Sequence, residues 1–158
     1  MDFTFRRGTN GDKTYFVLLH SEATPEEARW NAYLDAISRA LAGSVGRTHV
    51  FVATDGGGPD PAQRKALARV FEQGDALTHV FTTSVVVRGI VTAFRWIAGT
   101  RAVAHQPQDF GRTCVEVGHD PALVVQSFDE AQSELAPVAL LNELRRSALV
   151  PARLQIIR

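Results

Sequence analysis

The chain has 158 residues, of which 45% are hydrophobic and 22% are charged. These values are typical of one globular domain with a single hydrophobic core, and they exclude an intrinsically disordered chain. Because 17 Lys and Arg residues balance 17 Asp and Glu residues, the chain lacks the positive field that holds polyanions, and we predict no nucleic-acid partner.

A single cysteine, Cys114, excludes an internal disulfide bond and a metal cluster built from cysteines. The residues from Met1 to Phe5 lack the apolar segment of a secretion signal. No later run approaches the roughly 18 apolar residues that span a bilayer. We therefore expect a cytoplasmic protein that does not insert into membranes.

The chain opens with two predicted strands, from Asp2 to Arg7 and from Thr14 to His20. The Asn10-Gly11 step between them favours the positive φ of a hairpin turn, so the strands are expected to pair antiparallel. The second strand is apolar without alternation from Tyr15 to Leu19, which is typical of a strand inside a sheet with helices on both faces.

A helix is predicted from Thr24, which would be its N-cap, with Pro25 in its first turn and Glu27 completing a capping box. Its apolar residues repeat at helical spacing and form one stripe that faces the sheet. The helix is expected to end at Gly43.

Two further strand and helix units follow. The first has a strand from His49 to Thr54, the glycine-rich loop Asp55 to Pro59, and a helix from Asp60 to about Gln73. The second has a strand from Thr78 to Thr83 and a helix that begins after Ser84 as N-cap and ends at Gly99.

The last strand is predicted from Arg101 to His105, and helices from Pro107 to Val117 and from Pro121 to Leu135 follow it. Beyond Pro137, apolar residues suggest another helical turn or two, and a strand from Leu154 to Ile157 would lie at a sheet edge or on a neighbouring molecule.

Strands that alternate with helices require crossover connections, which predict an α/β domain with a mostly parallel sheet, an opening hairpin and helices on its faces. We place this domain at residues 1–135 and a helical C-terminal extension or tail at residues 136–158. An amphipathic extension that cannot cover its own apolar face docks on a partner, so this segment predicts a homodimer.

This element order, with the loop-to-helix junction after His49 to Thr54 and the run from Thr78 to Arg88, resembles the STAS fold. More narrowly, the chain resembles the SpoIIAA-like proteins of the STAS/SEC14 type, which are small bacterial relatives of anti-sigma-factor antagonists. The resemblance covers about Lys13 to Gly118. It implies a regulatory module that binds a protein partner.

In the antagonist branch of that family, a serine in the loop after the third strand is phosphorylated by a partner kinase. The matching loop here, Asp55 to Pro59, contains no serine or threonine, and the nearest hydroxyl belongs to Thr54. The sequence therefore leaves open whether a phosphorylation switch exists.

Two loops follow neighbouring parallel strands and are expected to share the carboxyl edge of the sheet, where open α/β sheets bind ligands. The glycine loop exposes N–H groups just before a helix, where an anion or a partner could bind, although the same residues would also make a purely structural turn. Hydroxyl groups and an arginine follow the next strand, where Ser84 could equally serve as a helix cap. The candidate ligand- or partner-binding residues are Asp55, Gly56, Gly57, Gly58, Thr83, Ser84 and Arg88.

No set of residues points to catalysis. A trio of Ser84, His20 and Asp55 could lie on one edge, but Ser84 lacks the flanking glycines of a nucleophile elbow. The remaining histidines, His49, His79, His105 and His119, are dispersed without metal-ligand spacing. We expect no catalytic residues, no metal site and no cofactor.

The leading interpretation is a non-catalytic STAS-like regulatory module that engages a protein partner through the glycine-rich rim. The alternative is a carrier of a small molecule or lipid, with an apolar cavity beneath the third helix. A hydrolase that uses the hydroxyl groups at the strand ends is a third interpretation.

Overall fold

The structure, a computed structural model, describes residues 2–98, 101–133 and 138–150, and for residues 94–98 it describes the backbone alone. The described residues form one five-stranded sheet in the order β1-β2-β3-β4-β5. The strands are β1 (Phe3–Asn10), β2 (Lys13–His20), β3 (Thr48–Thr54), β4 (Ala76–Phe81) and β5 (Ala102–His105).

Helices connect the parallel strands and follow the last one. Helices α1 (Glu27–Gly43), α2 (Pro61–Phe71) and α3 (Val85–Ala98) lie in the three crossovers. After β5, a short 3-10 turn (Pro107–Asp109) leads into α4 (Phe110–Glu116), α5 (Pro121–Gln132) and α6 (Leu141–Ala148).

The sheet is mixed, as the sequence predicts. Strands β1 and β2 pair antiparallel around Gly11, whose φ of 63° suits the hairpin turn, and β2 to β5 are parallel. Because right-handed crossovers that advance in one direction place their helices on one side, α1, α2 and α3 cover the same face of the sheet. We call this the first face, and the face covered by α4, α5 and α6 the second face.

Side chains of β2 alternate between two hydrophobic cores. Phe16 and Leu18 pack with α1 on the first face, whereas Tyr15, Val17 and Leu19 pack with α5 and its neighbours on the second. All five are at most 3% exposed. The apolar run of β2 therefore marks a central strand that is buried on both faces, as predicted.

The predicted fold class is confirmed, but the predicted start of α1 is wrong. The helix begins at Glu27, its N-cap is Glu26, and no side chain caps it. The Pro25 carbonyl accepts a hydrogen bond from Gln63 Nε2 at 2.8 Å. A contact with α2 thus holds the residues that would have formed the first turn outside the helix.

The C-terminal segment completes the second core. Leu141 and Leu144 of α6 are 1% and 0% exposed and pack in the same cluster as Phe110 and Phe128. The apolar face of α6, from which the sequence predicts docking on a partner, is thus covered within the chain. The strand predicted at Leu154 to Ile157 lies outside the described residues.

No helix in the described part of the chain has the length and apolar character required to cross a membrane.

Candidate ligand-binding site

The glycine loop after β3 is closed by its own hydrogen bonds. Thr54 Oγ1 donates to the Gly57 carbonyl at 2.5 Å and accepts from the Gly56 N–H at 3.1 Å, and the Gly57 N–H donates to the Ser21 carbonyl at 2.8 Å. The N–H groups of Gly56 and Gly57, which the sequence offers to an anion, therefore already have partners within the chain.

The loop is also tightly packed. A Cβ atom at Gly57 would lie 2.5 Å from the carbonyl oxygens of both Ser21 and Ala23, so a side chain has no room there. Gly56 adopts a φ of 134°, a conformation that residues with a Cβ rarely reach. The glycines thus allow the loop backbone to pass close to the chain at Ser21 and Ala23, at the carboxyl edge of the sheet.

Asp55 acts at a different place from the glycines. Its carboxylate accepts hydrogen bonds from the N–H groups of Ala139 at 2.9 Å and Leu140 at 3.3 Å, just before α6. A carboxylate is favoured at this position because it satisfies N–H groups that the helix leaves unpaired. Asp55 therefore fastens the C-terminal segment to the sheet.

The hydroxyl-rich turn after β4 caps α3. Ser84 Oγ accepts the Val87 N–H at 3.2 Å, and the Ser84 carbonyl accepts the Arg88 N–H at 3.1 Å. Thr83 is exposed, and Arg88 is half-buried. Since β3 and β4 are adjacent and parallel, this turn and the glycine loop share one edge of the sheet, but none of these three residues lines the cavity described next.

A cavity of about 330 Å³ lies between the first face of the sheet and helices α1, α2 and α3. Exposed residues Glu22, Thr24 and Gly56 mark its opening at the carboxyl edge. Its wall is predominantly apolar. The apolar side chains that line it are Leu18, Trp30, Val52, Leu67, Phe71, Val80, Val87, Ile90, Val91 and Ala102.

Among the uncharged residues that line the cavity, three polar atoms are buried and have no hydrogen-bond partner in the described part of the chain. They are His20 Nδ1, Tyr33 Oη and Thr78 Oγ1. His20 and Tyr33 are 2% and 0% exposed. More than about 90% of buried polar groups in proteins have a partner, so three unpaired atoms on one cavity are unusual.

The buried polar side chains of the cavity are uncharged. Burial lowers the pKa of His20 to about 3, so its imidazole is neutral at physiological pH. Burial raises the pKa of the Tyr33 hydroxyl, which stays protonated. Arg64 also lines the cavity, and its Nη1 donates to the Pro59 carbonyl at 2.8 Å.

The hydrolytic trio that the sequence allows is not assembled. Asp55 binds the backbone before α6, Ser84 caps α3, and no hydrogen bond joins either side chain to His20 in the described structure. Cys114 is fully buried, and burial raises the pKa of its thiol. Its thiolate is therefore disfavoured.

Three histidines that are dispersed in the sequence form a row on the second face of the sheet. His49 Nδ1 lies 3.0 Å from His79 Nε2, and His79 Nδ1 lies 3.1 Å from His105 Nε2. We call these three side chains the histidine row. The strand register places Phe51 beside His79 and Phe81 beside His105, so the row crosses β3, β4 and β5 diagonally.

Burial keeps the imidazoles of the histidine row neutral, and the hydrogen bonds within the row determine which nitrogen of each ring carries the proton. Burial, with the nearby imidazoles of His105 and His49, lowers the pKa of His79 to about 3, and burial lowers the pKa of His49 to about 4. A neutral imidazole donates from one nitrogen and accepts at the other. The two bonds of His79 therefore require all three rings to carry their proton on the same type of nitrogen.

The facing nitrogens of the histidine row bond to one another and do not converge on a common point. No group of three or more His, Cys, Asp or Glu side chains in the described ranges is arranged to hold a metal ion. The row could not be found from the sequence, because the spacing of histidines on different strands carries no information about the register of the sheet.

Thr54, the hydroxyl nearest to the glycine loop, is 2% exposed, and both of its hydrogen bonds hold that loop closed. A kinase could reach it only after the loop opened.

Comparisons of the chain with family models, with curated proteins and with solved structures find no match. The relation to the STAS family stays a prediction.

Proposed function

We propose that the protein is a non-catalytic binding module that takes up a small, predominantly apolar molecule in the cavity beneath α3. One observation carries this proposal: a cavity of about 330 Å³ opens at the carboxyl edge of the sheet, between an apolar sheet face and three helices. Its volume lies at the lower end of the roughly 300–1,000 Å³ of ligand pockets, and the carboxyl edge is the usual place for ligands in such sheets.

The driving force would be burial of apolar surface. Each square ångström of apolar ligand surface removed from water contributes roughly 25 cal/mol, less the cost of association. The cavity is already formed, so little of this gain is spent on ordering the protein. Helix α3 forms one wall of the cavity through Val87, Ile90 and Val91.

A pair of neighbouring substitutions on α3 tests this proposal. Val91→Phe places a large side chain in the cavity, whereas Thr92→Phe places the same side chain on the exposed side of the helix. We expect protein purified from its own host to retain a small molecule in native mass spectrometry, Thr92→Phe to retain it and Val91→Phe to lose it. Equal retention by both variants, or none by the wild type, contradicts the proposal.

Engagement of a protein partner through the rim is a second candidate. It is favoured by the exposed apolar start of α3, where Val85, Val86 and Ile90 are 72%, 71% and 45% exposed beside Thr83. Contiguous exposed apolar side chains are typical of interaction surfaces. The resemblance to STAS regulatory proteins supports the same candidate.

The substitution pair Val85→Glu and Val86→Glu, combined in one variant, tests the rim. We expect it to abolish any complex that the wild type forms with a partner or with a second copy, measured by light scattering and affinity capture. Ligand retention should persist, because neither residue lines the cavity. Unchanged association in the double variant counts against the rim.

A further inference from the structure

We infer that the first half of α3, from Val85 to Ala93, is the gate of the cavity: it unwinds locally to admit the ligand and re-forms over it. We call these residues the gate segment. Ile90 lines the cavity and is also 45% exposed, so the cavity and the solvent meet at one side chain of this segment. This inference rests on the proposed function, since it specifies how the ligand enters and leaves the same cavity.

The gate segment is weakly held in place. None of its residues is buried, whereas α1 buries six of its own residues. Within the described part of the chain, its only side-chain hydrogen bond joins Thr92 to the Arg88 carbonyl, one turn earlier in the same helix. A segment with few buried apolar contacts and no side-chain bond to its neighbours opens at a low free energy.

The other elements around the cavity are fastened more firmly. Helix α2 also lacks buried residues, but the Trp30 indole of α1 donates to the Gln63 carbonyl at 3.1 Å, and Gln63 Nε2 donates to the Pro25 carbonyl at 2.8 Å. The glycine loop at the opening is held closed by both hydrogen bonds of Thr54. Widening of the cavity therefore costs least at the gate segment.

The sequence of the gate segment makes it easier to unwind. Val85, Val86 and Val87 are β-branched, and Gly89 stands in the helix with open space where a Cβ atom would lie. Inside a helix, Ala in place of Gly favours the helical state by about fivefold. An alanine would fit at Gly89, so the glycine weakens the helix and no packing requires it.

Two substitutions outside the cavity lining test the gate in opposite directions. Gly89→Ala stabilises the helix, so we expect stopped-flow association and dissociation of the fluorescent apolar dye phenylnaphthylamine each to slow about fivefold. Ser84→Ala removes the cap that accepts the Val87 N–H, so both rates should rise about fivefold. The dissociation constant should stay unchanged in both variants, because the gate is closed both before and after binding.

Matched controls carry the same kinds of change elsewhere. Gly43→Ala, at the end of α1 with open space around its Cβ, and Asp120→Ala, which removes the cap of α5, should leave both dye rates unchanged. Hydrogen exchange provides an independent readout. In the free protein, amides from Arg88 to Ala93 should exchange at least about tenfold faster than those in the middle of α1, and they should slow when the dye binds.

The outcomes distinguish this inference from the proposed function. Dye rates that are equal in Gly89→Ala, Ser84→Ala and the wild type overturn the gate and leave the carrier function standing, as does exchange of the α3 amides as slow as that of α1. Thr24→Trp narrows the opening at the carboxyl edge and should not change the rates. Slower rates in that variant, with no effect of the α3 variants, assign entry to the opening. If the wild type binds no dye and retains no host molecule, the proposed function itself fails, and the gate fails with it.

Discussion

Lowering the pH from about 7 to about 5 should destabilise the folded protein by several kcal/mol, because its histidines are buried in the neutral form. The folded-state pKa values of His20, His49 and His79 are lowered to about 3, about 4 and about 3, first of all by burial. In the unfolded chain a histidine titrates near about 6.5. Between these values the unfolded chain binds protons that the folded chain excludes.

The sign and size of the effect follow from this difference. A histidine whose pKa is lowered on folding contributes its full stability above about pH 6.5 and loses it as the pH falls toward the folded-state value. Between about pH 7 and about pH 5, the titration of each of these three residues lowers the free energy of unfolding by about 2 kcal/mol, or by about 6 kcal/mol together. That sum is comparable to the roughly 5–15 kcal/mol of total stability of a typical domain.

Urea denaturation at a series of pH values measures this slope. The variant His79→Phe separates titration from packing, since Phe retains the aromatic stacking on Phe51 but cannot take up a proton. The variant should be less stable at about pH 7, because His49 and His105 each lose a partner, yet its stability should fall about one third less steeply. A wild-type loss below about 2 kcal/mol between these pH values refutes the reasoning, as does an equal slope in the variant.

Three further predictions concern the sheet edge and the histidine row. Gly57→Ala should cost at least about 2 kcal/mol in the free energy of unfolding, whereas Gly58→Ala, with open space around its Cβ, should be close to neutral. Asp55→Ala should cost about 2 kcal/mol and speed hydrogen exchange at the Leu140 N–H, and unchanged exchange there would contradict the capping role. Nitrogen-15 NMR of the three imidazoles should show a single tautomer throughout the row, and mixed tautomers would show that its hydrogen bonds do not form.

Local signals in the sequence were sufficient for most of the elements. Asp60-Pro61 and Asp120-Pro121 are N-cap and first-turn pairs, and both helices begin there with the Asp side chain accepting a backbone N–H. The apolar run from Tyr15 to Leu19 determined the central strand. These features depend on neighbours in the chain, whose contributions are available before any tertiary contact forms.

Part of the candidate site could also be predicted from the sequence. The parallel order of β3 and β4 places the glycine loop and the Ser84 turn on one edge, as predicted from the alternation of strands and helices. The capping role of Ser84 was one of the two interpretations of its turn, but the roles of Asp55 and Gly57 could not be predicted. Asp55 binds a segment 84 residues away, and Gly57 is required by a contact with Ser21, so neither role leaves a local pattern.

The amino-acid sequence by itself determined the kind of fold, the central strand and most helix starts, because periodicity and capping act over a few residues. Tertiary structure alone decided the register that brings His49, His79 and His105 into a row, and the separation of α3 from the sheet that leaves a cavity. Both depend on how distant segments pack against one another, and a difference of one residue in register would send these side chains to the opposite face.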